Sequence, residues 1–188
     1  MTEARDAANR DSANRDWADQ DSGGGASAPP FGVEAFVMRA AVEADAPALA
    51  AIARAAYAPY VPRLGFEPPP MRQDFPADIA AGRVWAAEWA DGGGRDGLGL
   101  LGYAVARPEG PDWMIENVAR APDGPRGLGR ALIAFAEAEG RARGFARVVL
   151  YTNAAMTENQ ALYPRLGYLE TGRREENGLS RVFYARDL

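Results

Sequence analysis

Residues 118 to 133, Val-Ala-Arg-Ala-Pro-Asp-Gly-Pro-Arg-Gly-Leu-Gly-Arg-Ala-Leu-Ile, pass from an apolar strand through a glycine-rich turn directly into an amphipathic helix. A chain that turns in this way builds a seat for phosphate. Gly127 and Gly129 carry no Cβ, so the backbone can approach an anion, and the N–H groups of the helix's first turn have no partner inside the helix. Two other glycine motifs that use the same device lack their remaining parts. No Lys-Ser or Lys-Thr follows the glycines, as a P-loop requires, and Leu132 stands where a dinucleotide fingerprint places its third glycine. The turn predicts a ligand-binding domain, with the alternative that it is a plain helix start after a Gly-Pro turn.

Working outward from this turn, the periodicity predicts a regular alternation of elements. Ala35 to Ala40 reads as a strand, followed by a helix with Asp45 as its cap and Pro47 in its first turn, with Leu49, Ile52, Ala53, Ala56 and Tyr57 on one face. A proline-rich loop, Tyr60 to Arg72, leads to a short helix near Phe75 to Ala81 that Gly82 ends. Arg83 to Ala90 and Leu98 to Arg107 read as a hairpin around the loop Asp91 to Gly97, with Trp113 to Arg120 as the next strand. The helix from Arg126 to Arg143 places Leu128, Leu132, Phe135 and Ala138 on one stripe, and Gly140 within it costs about 1 kcal/mol against Ala. Arg147 to Thr152 reads as a strand buried on both faces, Thr157 to Leu166 as a short helix ended by Gly167, and Tyr168 to Arg174 and Ser180 to Arg186 as closing strands around Glu175 to Gly178. The order is β-α-α-β-β-β-α-β-α-β-β.

Composition narrows the function. At 188 residues and 47% hydrophobic content the chain suits one domain with a sizeable core. Residues 1 to 32 are charged and rich in Asn, Ala, Gly, Ser and Pro, so a disordered tail is expected before a domain at 33 to 188. The tail lacks the apolar stretch of a secretion signal and no later run is long enough to span a membrane, which makes the cytoplasm the default location and a membrane partner unexpected. A net charge of -5 and a pI near 4.9 argue against nucleic acid and lean toward a cationic acceptor. The chain has no Cys and no His, which excludes a Ser-His-Asp triad, a thiol nucleophile and Cys/His metal sites. No metal is expected. Chemistry must run on carboxylates, Tyr, hydroxyls, backbone N–H groups and a bound cofactor.

The glycine turn resembles the pyrophosphate-binding motif of the GNAT acyltransferase superfamily, Gln/Arg-x-x-Gly-x-Gly/Ala, with Gly124 at the Gln/Arg position and Pro125 bringing no amide. Further on, Glu158-Asn159-Gln160-Ala161-Leu162-Tyr163-Pro164-Arg165-Leu166-Gly167-Tyr168 is similar to the family's second signature, Asn-x-x-Ala-x-x-Leu-Tyr-x-x-Leu-Gly-Phe/Tyr. Met156 stands at the Asn position of that signature and Asn159 at the Ala position. The segments Pro69-Pro70-Met71-Arg72-Gln73-Asp74 and Leu150 to Asn159 are similar to those of a bacterial branch of the family.

The resemblance implies an α/β (α+β) fold: a mixed, mostly antiparallel sheet of about seven strands, splayed between strands 4 and 5, with about four flanking helices. It implies acetyl-CoA as co-substrate. Its diphosphate would lie on Arg126, Gly127, Leu128, Gly129 and Arg130, and its pantetheine arm along Val118, Ala119 and Arg120. Asn153 or Asn159 would take the polar role of the missing Asn, and Tyr163 would sit beside the thioether sulfur. Arg126 and Arg130 read equally well as solvated helix surface. The acceptor pocket would draw on Tyr57, Tyr60, Arg63, Met71 and Asp74, which serve equally well as loop packing. The reaction implied is direct acetyl transfer to a primary amine of a small molecule or peptide, with a homodimer as a possible assembly. Glu116, on the strand leading into the turn, is the expected base, directly or through water, and reads equally well as a paired surface Glu; Tyr163, with an ordinary pKa of about 10, is the expected acid toward sulfur, with core packing as its alternative. A CoA-binding sensor or a non-catalytic interaction domain of the same fold is the alternative.

Overall fold

The computed structural model describes residues 36–90, 99–176 and 178–188. The expected tail, Ala35, the loop Asp91 to Gly97 and Asn177 lie outside these residues. Seven strands, β1 (Phe36–Ala40), β2 (Val84–Trp89), β3 (Leu100–Glu109), β4 (Asp112–Arg120), β5 (Arg147–Asn153), β6 (Leu169–Glu176) and β7 (Leu179–Asp187), form one open sheet in the order β1-β2-β3-β4-β5-β7-β6. Four helices of six residues or longer flank it among the described residues: α1 (Ala46–Tyr57), α2 (Phe75–Ala80), α3 (Leu128–Ala142) and α4 (Thr157–Arg165). A single turn, Val61–Leu64, lies between α1 and α2. This is the element order that the sequence predicts.

The helices divide between the two faces of the sheet. On one, α3 lays Leu128, Leu132, Ile133 and Ala136 against Trp85, Ala104, Trp113 and Ile115. On the other, α1 lays Leu49, Ile52 and Ala53 against Ala86, Tyr103, Val105 and Ala119. Each fully buried Leu or Ile contributes about 1.5–3 kcal/mol, so these two layers fix both helices against the strands they cover.

The packing departs from the sequence reading in three places. Ala138 is exposed, and the buried stripe of α3 is Leu128, Leu132, Ile133, Ala136, Glu137 and Gly140. The helix is rotated toward Gly140 because that residue seats on an indole ring: a Cβ there would lie 2.6 Å from Cδ1 of Trp113. Asp45 does not cap α1 with its side chain. Its carboxylate instead accepts from the Val42 N–H at 2.8 Å and pairs with Arg39 at 2.6 Å, tying β1 to the start of the helix. Finally, β5 alternates, with Val148, Leu150 and Thr152 buried and Val149 and Tyr151 only partly so, because α1 does not extend over the far half of the sheet.

Candidate active site

All neighbouring strands pair antiparallel except β4 and β5. These two run parallel and are in register only at Trp113 with Val148 and Met114 with Val149. Beyond that point they part. The cause is visible in β4, where the register with β3 slips between Val105, opposite Asn117, and Ala106, opposite Ile115. Glu116 is thus the extra residue of a β-bulge, which bends the strand and leaves the ladder locally broken. The bulge also exchanges faces: Trp113 and Ile115 point toward α3, while Ala119, of the same parity, packs on the α1 side.

A cavity of about 250 Å³ opens where the strands part. It reaches α3 and α4 through Gly129, Ile133, Leu162 and Tyr163, and the segment after α1 through Tyr57, Tyr60, Leu64, Phe66 and Pro68. Its charged lining residues are Glu116, Arg120 and Arg181, one carboxylate against two guanidiniums. The acidity of the whole chain is therefore not carried into this cavity, and the sequence-based lean toward a cationic acceptor finds no support in its walls.

At the start of α3, Gly127 adopts φ +80°, a left-handed conformation suited to glycine, and the first helical bond back to it comes from Ala131 at 3.0 Å. The N–H groups of Gly129 and Arg130 precede that bond, and Gly129 lines the cavity. Leu128 is an anchor, its side chain fully buried and its N–H donating to the Pro125 carbonyl at 3.3 Å. Gly124, where the family motif has Gln or Arg, sits so close to backbone that a Cβ would lie 3.0 Å from the carbonyl oxygens of both Ala121 and Leu101. The tight turn therefore favours a glycine here. Val118, Ala119 and Arg120 line the cavity, and the Arg120 guanidinium donates to the carbonyls of Gly124 at 3.0 Å and Pro122 at 3.3 Å, bracing the loop. Arg126 and Arg130 flank the helix start and do not line the cavity.

Tyr163 projects from α4 into the cavity, its ring packed 5.2 Å from Tyr184 and 5.8 Å from Tyr168. Burial pushes its phenol above the ordinary tyrosine range, so the hydroxyl keeps its proton. The helix is held in place below it: Gly167 turns at φ +86°, and buried Tyr168 donates to Glu137 Oε1 at 2.7 Å, a carboxylate that also accepts from Arg186 at 3.1 Å. Asn153 and Asn159 both line the cavity. Asn153 Oδ1 accepts from the Ala155 N–H at 2.9 Å and so serves the turn before α4, whereas Asn159 donates to Thr152 Oγ1 at 3.0 Å and leaves its buried Oδ1 without a partner. Met156 fills the position of the signature's Asn, buried, with its sulfur accepting from Thr152 and Asn159.

On the opposite side, the Tyr57 hydroxyl donates to Asn117 Oδ1 at 2.9 Å, and burial holds this phenol too above its usual range. Asn117, which the sequence reading did not single out, is buried and donates to Gln73 Oε1 at 3.4 Å. Glu116 Oε2 accepts from Arg107 at 2.8 Å. Tyr60 is buried in the cavity wall, whereas Arg63 does not line the cavity: it lies 5.7 Å from the Tyr60 ring and pairs with Glu158 of α4 at 2.6 Å. Met71 and Asp74 do not line the cavity; Asp74 accepts from the Ala77 N–H at 3.1 Å and caps α2. Among the described residues, no group of three or more Asp or Glu side chains is placed to hold a metal ion, and no helix is long and apolar enough to cross a membrane.

With this geometry in view, the comparisons with known proteins are specific. Residues 48–168 match the model of the acetyltransferase (GNAT) family. The chain belongs to that family and is an acetyltransferase by descent. No curated protein matches it. Solved structures of the same fold include the PaiA N-acetyltransferase of Thermoplasma acidophilum in complex with coenzyme A, at 12% identity and TM-score 0.64, covering 81% of this chain and 99% of that one. A GNAT-family acetyltransferase of Listeria monocytogenes aligns at 17% identity and TM-score 0.61, over 81% and 95% of the two chains. The ribosomal-protein-S18-alanine N-acetyltransferase of Escherichia coli aligns at 22% identity and TM-score 0.59, over 81% and 93%. These likenesses concern the fold.

Proposed function

We propose that the protein moves an acetyl group from acetyl-CoA directly to a primary amine of a small molecule or peptide. The observation that carries this reading is the parting of β4 from β5, with a cavity passing through the gap toward the first turn of α3. The residues fit the cofactor's chemistry: an unpaired strand edge suits an amide-bearing arm, a glycine turn suits a diphosphate, and the orphaned Asn159 Oδ1 suits an N–H donor.

When bound, acetyl-CoA supplies an acyl group already activated as a thioester, so no covalent enzyme intermediate is needed. Main-chain groups of Val118 and Arg120, which alternate with the β3-bonded Ala119 and so face the gap, would hold the pantetheine arm, and Asn159 would take one of its amide hydrogens. The amides of Gly127, Gly129 and Arg130 meet the diphosphate, with the Arg126 and Arg130 guanidiniums beside it. A main-chain N–H near Val118 polarises the carbonyl. Glu116, oriented by Arg107, takes the proton of the acceptor's ammonium directly or through water. Tyr163 donates its hydroxyl proton toward the departing sulfur.

Thermal unfolding with and without acetyl-CoA, followed by an amine screen reading free thiol, tests the proposal. Saturating acetyl-CoA at about 100 times its Kd stabilises the fold by roughly 2.7 kcal/mol, and at least one amine releases thiol. Stabilisation without thiol release from any amine identifies a sensor. Neither effect identifies an interaction domain.

A further inference from the structure

The cavity has two electrically opposite poles. On the β4 side Arg107 lies between two glutamates, Glu116 at 2.8 Å and Glu109 in a still closer pair; Glu116 faces the cavity, and the Arg120 guanidinium beside it is engaged with the carbonyls of Pro122 and Gly124. Across the gap the arrangement is inverted. Glu176 lies between two arginines, Arg174 at 2.6 Å and Arg181 at 2.7 Å, and Arg181 faces the cavity. Arg181 is not a loose surface side chain: only 17% of it is exposed, and its guanidinium lies 4.2 Å from the centre of the Tyr151 ring, which packs in turn on Phe183. Arg174 covers the far face of that stack, 3.9 Å from Phe183. Such a fixed, planar donor set matches a carboxylate.

Between the poles the wall is apolar and aromatic, formed by Tyr57, Tyr60, Leu64, Phe66, Pro68 and Leu179. Strands β4 and β7 lie on either side of β5, so Glu116 and Arg181 line the cavity from opposite sides of the parting. A molecule carrying an ammonium and a carboxylate on one carbon presents one charge to each of these side chains. A polycation does not, since it would meet two guanidiniums and a single carboxylate.

We infer that the acceptor is a free α-amino acid with an apolar or aromatic side chain, its ammonium at Glu116, its carboxylate at Arg181 and its side chain on the tyrosine and proline wall. This rests on the acetyltransferase reading above and names the substrate class of that same site.

The test is steady-state kinetics with acetyl-CoA on L-phenylalanine and L-methionine, on their carboxyl amides, on 2-phenylethylamine and on spermidine. The free amino acids are expected to exceed their amides and 2-phenylethylamine in kcat/KM by at least about tenfold, the worth of a charge-assisted hydrogen bond. Arg181→Gln collapses that ratio by raising KM for the amino acids, and Arg181→Lys restores part of it. The ratio is taken within one variant, so a reduced folded fraction does not affect it. Equal use of phenylalanine and 2-phenylethylamine, preference for spermidine, or an unchanged ratio in Arg181→Gln overturns the assignment while leaving acetyl transfer intact. Stabilisation by acetyl-CoA without turnover of any of these amines overturns it as well; absence of stabilisation removes the reading beneath it.

Discussion

At Tyr163 one hydroxyl is placed by a ring packed on two others and by a helix end, and that hydroxyl is the only part a Phe would lack. Tyr163→Phe is expected to leave acetyl-CoA-dependent stabilisation in place while lowering kcat about 10²-fold or more, the usual worth of a positioned acid. Unchanged kcat would remove Tyr163 from the chemistry. Gly140 makes the opposite point about reading residues singly. Helix propensity alone favours Ala there by about 1 kcal/mol, yet a Cβ would press on Trp113 at 2.6 Å. Gly140→Ala is therefore expected to destabilise by about 1–3 kcal/mol in urea unfolding, and a gain in stability would contradict the packing described. Tyr163 was legible in the sequence because it sits in a local signature, and Glu116 because it lies next to the glycine turn. Asn117 and Arg181 were not, since their partners come from other strands and from Tyr57, 60 positions away.

Among the elements, β4 and the loop that follows it set the site. Periodicity located the strand, but the bulge at Glu116 left no trace in the sequence, because one extra residue in a run such as Met-Ile-Glu-Asn-Val keeps a strand-like composition on either register. The cap of α1 failed for a similar reason: Asp45 has the right position and residue type, and a tertiary partner, Arg39, draws it away. Asp74, read as a candidate for the acceptor pocket, is a working cap instead. Asp74→Ala is expected to lower stability by about 1 kcal/mol with little change in KM for the acceptor, and a large KM effect would return it to the pocket. The loop before α3 yields a second prediction. Installing the family's Gln at Gly124 drives a side chain into the carbonyls of Ala121 and Leu101, so Gly124→Gln weakens acetyl-CoA binding and destabilises by about 1–3 kcal/mol in urea unfolding. Tighter binding in that variant would show that the loop can rearrange.

Across the whole molecule, titration at high pH falls to the tyrosines, because the chain has no lysine. Tyr57, Tyr103, Tyr163 and Tyr168 are all held above the ordinary range, with burial the largest cause in each. Unfolded tyrosines lose their protons near pH 10, while these keep them in the fold. The unfolded state then binds fewer protons, so the contribution is complete below about pH 10 and falls as pH rises beyond it. Thermal midpoints measured from pH 8 to 11.5 are expected to hold level and then drop above about 10; a level trace throughout would mean that these phenols titrate normally. The fold class and element order were legible at this scale because strand and helix periods alternate cleanly. The separation of β4 from β5 followed from family resemblance, and its physical cause needed the register.

That separation also makes the sheet mechanically two plates. One carries β1 to β4, the other β5 to β7, and only two residue pairs stitch them along a shared seam, with α3 bracing the join. Twist about so short a seam is soft compared with bending either plate. A long, thin molecule inserted between them would act as a rivet, adding bonds along the stretch where the two plates share none.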